Sequence, residues 1–177
     1  MDEKQGIIKK LNKIYKNGYM PSRGTKKYDQ ISTLAVNCFG HACFNLSNRS
    51  LKKLDLQELI DFFRNFQSVG SCNFFKEAKN RIKQVGLQIE ESSLSESIQK
   101  NQWKIAYYVE NDIFSGNDLH FMIQGKDGKW IGKIGTNPKI EIYEKLPNIY
   151  REKYYLSGVY KITNPYIKLQ EDKSFEM

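Results

Sequence analysis

Leu119-His120-Phe121-Met122-Ile123-Gln124-Gly125-Lys126-Asp127-Gly128-Lys129-Trp130-Ile131-Gly132-Lys133-Ile134 reads as two short strands joined by a tight turn. Leu119, Phe121 and Ile123 alternate with His120, Met122 and Gln124, the period of two that sends successive side chains to opposite faces of a sheet. Gly125-Lys126-Asp127-Gly128 has the residue types of a hairpin turn, and Lys129 to Ile134 is the returning strand. His120 projects on the face opposite Leu119, Phe121 and Ile123. A polar side chain on a largely apolar strand needs a partner.

The same period extends outward from this hairpin. Trp103, Ile105, Tyr107 and Val109 alternate with Lys104, Ala106, Tyr108 and Glu110, and Tyr154 to Thr163 forms a last strand with Pro165 beyond it. The aromatic residues Trp103, Tyr107, Tyr108, Trp130, Tyr154, Tyr155 and Tyr160 are expected mainly as core or cross-strand pairs. Upstream the period is helical. Ile7, Ile8, Leu11, Ile14 and Tyr15 make an amphipathic helix over Gly6 to Lys16, closed by Asn17-Gly18, and Pro21 to Asp29 is a basic loop. The run Ile31 to Leu46 is apolar and rich in small residues, and a buried helix is predicted to start near Asn37, a good N-cap type. Asp55 to Phe66 gives a helix capped by Asp55 with Glu58 in the capping box; Phe74 to Val85 gives another, with Gly86 just past its end.

Helices first and antiparallel strands after define an α+β fold, N-terminal helices packed on a C-terminal antiparallel sheet. A length of 177 residues suits one domain. It divides into a basic segment, 1–30, a helical half, 31–90, a sheet half, 100–165, and a polar tail, 166–177. The apolar and aromatic content excludes a wholly disordered chain, and the absence of a sustained period excludes collagen and coiled coil. No run of about 18 apolar residues is present to span a membrane, and the polar start, Met1-Asp2-Glu3-Lys4-Gln5, lacks the apolar core of a signal peptide. Three cysteines, Cys38, Cys43 and Cys72, read as free thiols in a reducing compartment. The expectation is a cytoplasmic protein, or one delivered from a cytoplasm without a cleaved signal.

The net charge of +8 is uneven. Residues 1–53 carry 11 basic and 3 acidic side chains, whereas residues 54–177 carry 17 of each. A basic segment favours an anionic partner, whether nucleic acid, membrane headgroups or an acidic protein surface, although a solvated lysine-rich helix face has the same composition.

Chemistry concentrates on one thiol and one imidazole. The thiolate is the nucleophile, and the first turn of a helix favours it through unpaired amides that also hold an oxyanion. Cys38, next to the Asn37 cap, has that position; Cys43 lies further along the helix, and Cys72 precedes the Phe74 helix in a loop. His120, on a rigid strand, is the matching base. Cys38-x-x-His41-x-Cys43 matches no structural zinc spacing, so no metal or cofactor is expected, and His41 is assigned to cleft or core packing.

Asn37-Cys38-Phe39-Gly40-His41-Ala42 and Asp118 to Gly135 resemble the two signature blocks of papain-like cysteine hydrolases, more narrowly the NlpC/P60-like proteins of bacteria and phage. There an Asn-Cys pair opens a helix and a strand His precedes a hairpin of the form DG-x-W-x-x-K-x-G. The two blocks cover between about a tenth and a fifth of the chain. The resemblance implies a peptidase or amidase in which Cys38 forms a thioester and His120 acts as base and then acid. Asn37, His41 and Gln124 fall at oxyanion or cleft positions. The family's third polar residue falls here at Gly132, which has no side chain to orient an imidazole; the role then passes to Asn137, Gln124 or a backbone carbonyl, with Asn137 the first choice. The alternative is a papain-like module that has lost catalysis and docks an acidic protein or nucleic acid through its basic first third.

Overall fold

In a computed structural model, residues 3–25, 27–64, 74–111 and 118–169 are described. Among them the chain forms helices followed by one antiparallel sheet: α1 Glu3–Lys16, α2 Gln30–Ala35, a π-helical segment Gly40–Phe44, α3 Asn48–Leu51, α4 Leu56–Arg64 and α5 Phe74–Gln84, then β1 Gln88–Glu91, β2 Gln102–Glu110, β3 Leu119–Gln124, β4 Trp130–Lys133, β5 Ile140–Tyr143, β6 Ile149–Tyr150 and β7 Tyr154–Thr163. The sheet order is β1-β7-β2-β3-β4-β5, with β6 added to β7. No helix among the described residues is long and apolar enough to cross a membrane.

The expected helix caps form. Asp55 accepts from the Glu58 amide at 2.9 Å, and Gly86 ends α5 at φ +89°, a conformation cheap only for glycine. On α1, Ile7, Leu11 and Tyr15 recur at every fourth position and are buried as one stripe. Two helical features differ from expectation. Residues Gln30–Ala35 form α2, because Asp29 accepts from the Ser32 amide at 2.8 Å and starts a helix before Asn37. The helix that begins after Asn37 is only two turns long and widens into a π-helix, closed by the Asn45 amide on the Gly40 carbonyl, with Asn45 left-handed at φ 43°. The α4 and α5 boundaries fall within two residues of expectation on the described side. Phe66, Cys72 and most of the polar tail lie outside the described residues.

Alternation along the strands sorts the side chains into two clusters. Trp103, Ile105, Phe121, Ile123 and Ile131 pack against α1, α4, α5 and the π-helical segment. Ala106, Tyr108, Met122, Trp130 and Tyr150 form a smaller cluster on the opposite face. Strand β7 serves both through a bulge: Tyr107 pairs with Gly158 but Tyr108 with Leu156. The skipped residue moves Leu156 onto the face of Val159, and Gly158 is required there because a Cβ would fall 2.7 Å from the Tyr107 ring. Trp103, Tyr108 and Trp130 are buried as expected, whereas Tyr155 is 42% exposed. Tyr155 lies near the start of β7, between Val109 of β2 and Ile149 of β6.

Candidate functional site

Asn37 caps the turn that carries Cys38. Its Oδ1 accepts from the Gly40 amide at 3.0 Å and its Nδ2 donates to the Phe63 carbonyl at 2.8 Å, so both ends of the amide fix the turn against α4. Gly40 allows the contact: a Cβ there would stand 3.0 Å from the Phe63 ring. The approach to Cys38 is held from the sheet. Lys133, fully buried at the end of β4, donates to the Val36 carbonyl at 2.6 Å and to the Gly135 carbonyl at 2.8 Å. One ammonium thereby ties the residue before Asn37 to the chain leaving β4.

Pairing between β3 and β4 runs only from Met122 to Gln124. Where β4 has left β3, the Cys38 thiol takes its place. Sγ donates to the Leu119 carbonyl at 3.9 Å, and the Phe121 amide donates to the sulfur. The thiol therefore sits at an opening in the sheet while still packing against the core on its helical face. Through that opening it shares a cleft of about 690 Å³ with His120, lined also by Asn37, Arg64, Asp118, Thr136, Tyr150, Arg151 and Tyr154.

His120 is 5% exposed. Its ring stacks on Tyr150, centroids 4.2 Å apart and planes 10° from parallel, with Tyr108 and Tyr154 at 6.1 and 6.0 Å. Tyr154 is held in turn by its hydroxyl on Asp118 at 2.8 Å. Among the described residues no hydrogen bond joins Cys38 to His120, and His120 Nε2 is buried without a hydrogen-bond partner. Burial dominates both groups. It pushes the Cys38 thiol up to about 11, against the Phe121 amide, while Asp118 adds to the rise and the Phe39 amide and Lys133 oppose it. It pulls the His120 imidazole down to about 4, with Glu141 opposing and Arg151 reinforcing. The resting pair is thiol and neutral imidazole. Burial also lowers Lys133 to about 8, with Cys38 opposing and Arg64 reinforcing.

Of the six residues the sequence singled out, Cys38, His120 and Asn37 line the cleft, and His41, Gln124 and Asn137 do not. His41 points into the helical core, edge-on to Tyr28 at 5.9 Å. Gln124 stays within its own hairpin, donating to the Gly128 carbonyl at 3.3 Å. Asn137 follows the cleft-lining Thr136, but its Oδ1 accepts from the Lys139 amide at 3.0 Å in a local turn. Cys43 is buried in the core, and no three His, Cys, Asp or Glu side chains gather as a metal cluster among the described residues.

Sequence reasoning missed Glu141, Tyr150, Arg151 and Lys133. Glu141 accepts from the hydroxyls of Tyr150 at 2.8 Å and Tyr143 at 2.9 Å, and pairs with Arg151 at 3.3 Å. Burial alone would raise its carboxyl; the two hydroxyls and Arg151 outweigh that and hold it below the usual range. Comparison with protein-family models, with curated proteins and with solved structures finds no match to the chain.

Proposed function

We propose that the chain is a papain-like, cysteine-dependent hydrolase of amide bonds, whether peptide, isopeptide or glutamine-type. The observation that carries this reading is the shared cleft: a thiol in the first turn of a capped helix and an imidazole on a strand, distant in sequence, line one cavity large enough for a substrate segment. The order of elements, helices and then an antiparallel sheet, supports the same architecture.

In this mechanism the substrate carbonyl enters the cleft and the thiol leaves the Leu119 carbonyl for it. The S–H proton passes to His120 as the S–C bond forms and the carbonyl π pair becomes an oxyanion, held by amides of the helical turn. Collapse breaks the C–N bond, and His120 returns the proton to the departing amine. Water then attacks the thioester, His120 takes its proton, and the S–C bond breaks to release the acid and restore the thiol.

The test uses p-nitrophenyl acetate, with acetylation located by peptide mass mapping. Cys38 should acquire one acetyl group and lose it by hydrolysis, and His120→Ala should slow acetylation about a hundredfold, the lower range for a general base. Absence of acetyl on Cys38, or equal rates with and without the imidazole, refutes the proposal. A binding module without catalysis is the second reading. The neutral, unbonded resting pair and the missing side chain at Gly132 favour it, and the same assay decides between the two.

A further inference from the structure

We propose that Glu141 is the positioning residue of His120, its carboxylate acting on the imidazole across the space left by Gly132 and through the ring of Tyr150; the inference rests on the reading of His120 as the base. Register places the three residues together. Gly132 pairs with Met122 on one side and with Glu141 on the other, so all three share a face. His120, two residues from Met122, projects to that face as well. A Cβ on Gly132 would lie 3.4 Å from His120 Nε2, which therefore points at the glycine. Nε2 is the imidazole nitrogen buried without a hydrogen-bond partner among the described residues, and the next residue across the sheet in its direction is the acid.

The acid is itself held. Tyr150 both donates to Glu141 Oε2 and lies flat on the His120 ring, so one side chain transmits the position of the carboxylate to the imidazole. Arg151 reaches Glu141 from a turn in which Arg151 and Glu152 are both left-handed, at φ 49° and 63°. Two such residues in succession without glycine are costly, and here they deliver the guanidinium to the carboxylate. A carboxylate beyond Nε2 favours the tautomer with hydrogen on that nitrogen, which leaves the Nδ1 lone pair to accept a proton. The other groups around His120 are the phenols of Tyr108 from β2, Tyr150 from β6 and Tyr154 from β7. Asp118, Cys38, Arg64 and Lys153 line the cleft, and Lys133 acts on Cys38 from behind it. Glu141 and Arg151 are the opposed charges whose balance acts on the ring.

The test is an NMR titration of the full chain labelled at histidine, which contains only His41 and His120, in wild type, Glu141→Gln and Arg151→Gln. Removing the carboxylate should lower the His120 midpoint by about one pH unit, and removing the guanidinium should raise it, by the effect of one charge at side-chain distances. Loosening of the fold cannot produce opposite signs. If Glu141→Gln does not fold, Arg151→Gln is read against Arg151→Lys, which keeps the charge: only the first should raise the midpoint, whereas loosening of the turn would raise both. A His120 midpoint unmoved in the folded variants overturns the proposal. The titration is independent of hydrolysis: shifts without acetylation of Cys38 would sink the hydrolase and leave this pairing standing, whereas acetylation without shifts would sink the pairing alone.

Discussion

His120 should make the protein's stability fall in mild acid by an amount that its burial sets. In the unfolded chain the imidazole titrates near its ordinary value of 6.5; in the fold, burial moves it to about 4. Between those limits the unfolded state binds a proton that the native state refuses, so stability rises with pH across the window and is lost as pH falls from 6.5 towards 4. At about 1.4 kcal/mol per pH unit, the window corresponds to roughly 3 kcal/mol. The ring is almost inaccessible, so solvent screening takes little from that figure. Urea unfolding at a series of pH values in wild type and His120→Gln measures it. Asp29, Glu96 and Glu141 also have lowered carboxyl values and destabilise the fold in acid, but they are common to both proteins, so the difference between the two curves isolates His120. That difference should be flat above pH 6.5 and should shrink at the expense of wild type by about 3 kcal/mol toward pH 4. Parallel curves would show that the imidazole is solvated in the native state and that the described burial is wrong.

Asn164→Ala should cost about 2–4 kcal/mol in urea unfolding, since its fully buried amide donates to the Tyr15 and Tyr19 carbonyls at 3.1 and 2.9 Å and accepts from the Tyr166 amide at 3.1 Å, joining the end of α1 to the end of the sheet; a cost below about 0.5 kcal/mol would contradict that junction. Gly132→Ala should leave stability unchanged or raise it by up to about 1 kcal/mol, because the added methyl meets His120 and Met122 at 3.4–3.6 Å, ordinary contact, on backbone that any residue adopts; a fall in melting temperature would mean that the space facing the imidazole is not there.

The sheet was legible where both faces are buried against clusters of different composition. Strands β2, β3, β4 and β7 carry the period of two because both of their faces meet packed clusters of different composition. Strand β1 is an edge with Glu90 and Glu91 in it, β5 is the opposite edge with Ile142 exposed, and β6 has two residues; none of these offers a period to read. The short α2 was missed despite its Asp29 cap, because six residues are too few to show a helical stripe. At the site, Asn37, Cys38 and His120 were legible through local rules: a capping residue, the position after it, and an imidazole breaking an apolar alternation. Glu141 and Lys133 were not. The role of each depends on which residues lie across the sheet or behind a loop, and register between strands is not encoded locally where the partner strand is an unpatterned edge.

If the cleft works as proposed, its electrostatics also set how the chemistry is timed. Moving a proton from a thiol near 11 to an imidazole near 4 is uphill by roughly 10 kcal/mol if the two groups act independently. The attraction between the resulting thiolate and imidazolium, even if the two were brought to contact at the effective dielectric of a protein site, returns at most about 4 kcal/mol. An ion pair waiting in the empty cleft is therefore not the ground state. Neither Lys133, whose donors hold two carbonyls, nor the amides at the sulfur close a gap of that size before substrate arrives. Bond formation does: once sulfur begins to bond to carbon, the negative charge leaves the buried thiolate for an oxygen facing backbone donors, and the imidazolium needs only an anion behind it. For a hydrolase built on this cleft, proton transfer and attack belong to one step, and the carboxylate across Gly132 supplies the charge that a pre-formed thiolate would otherwise provide.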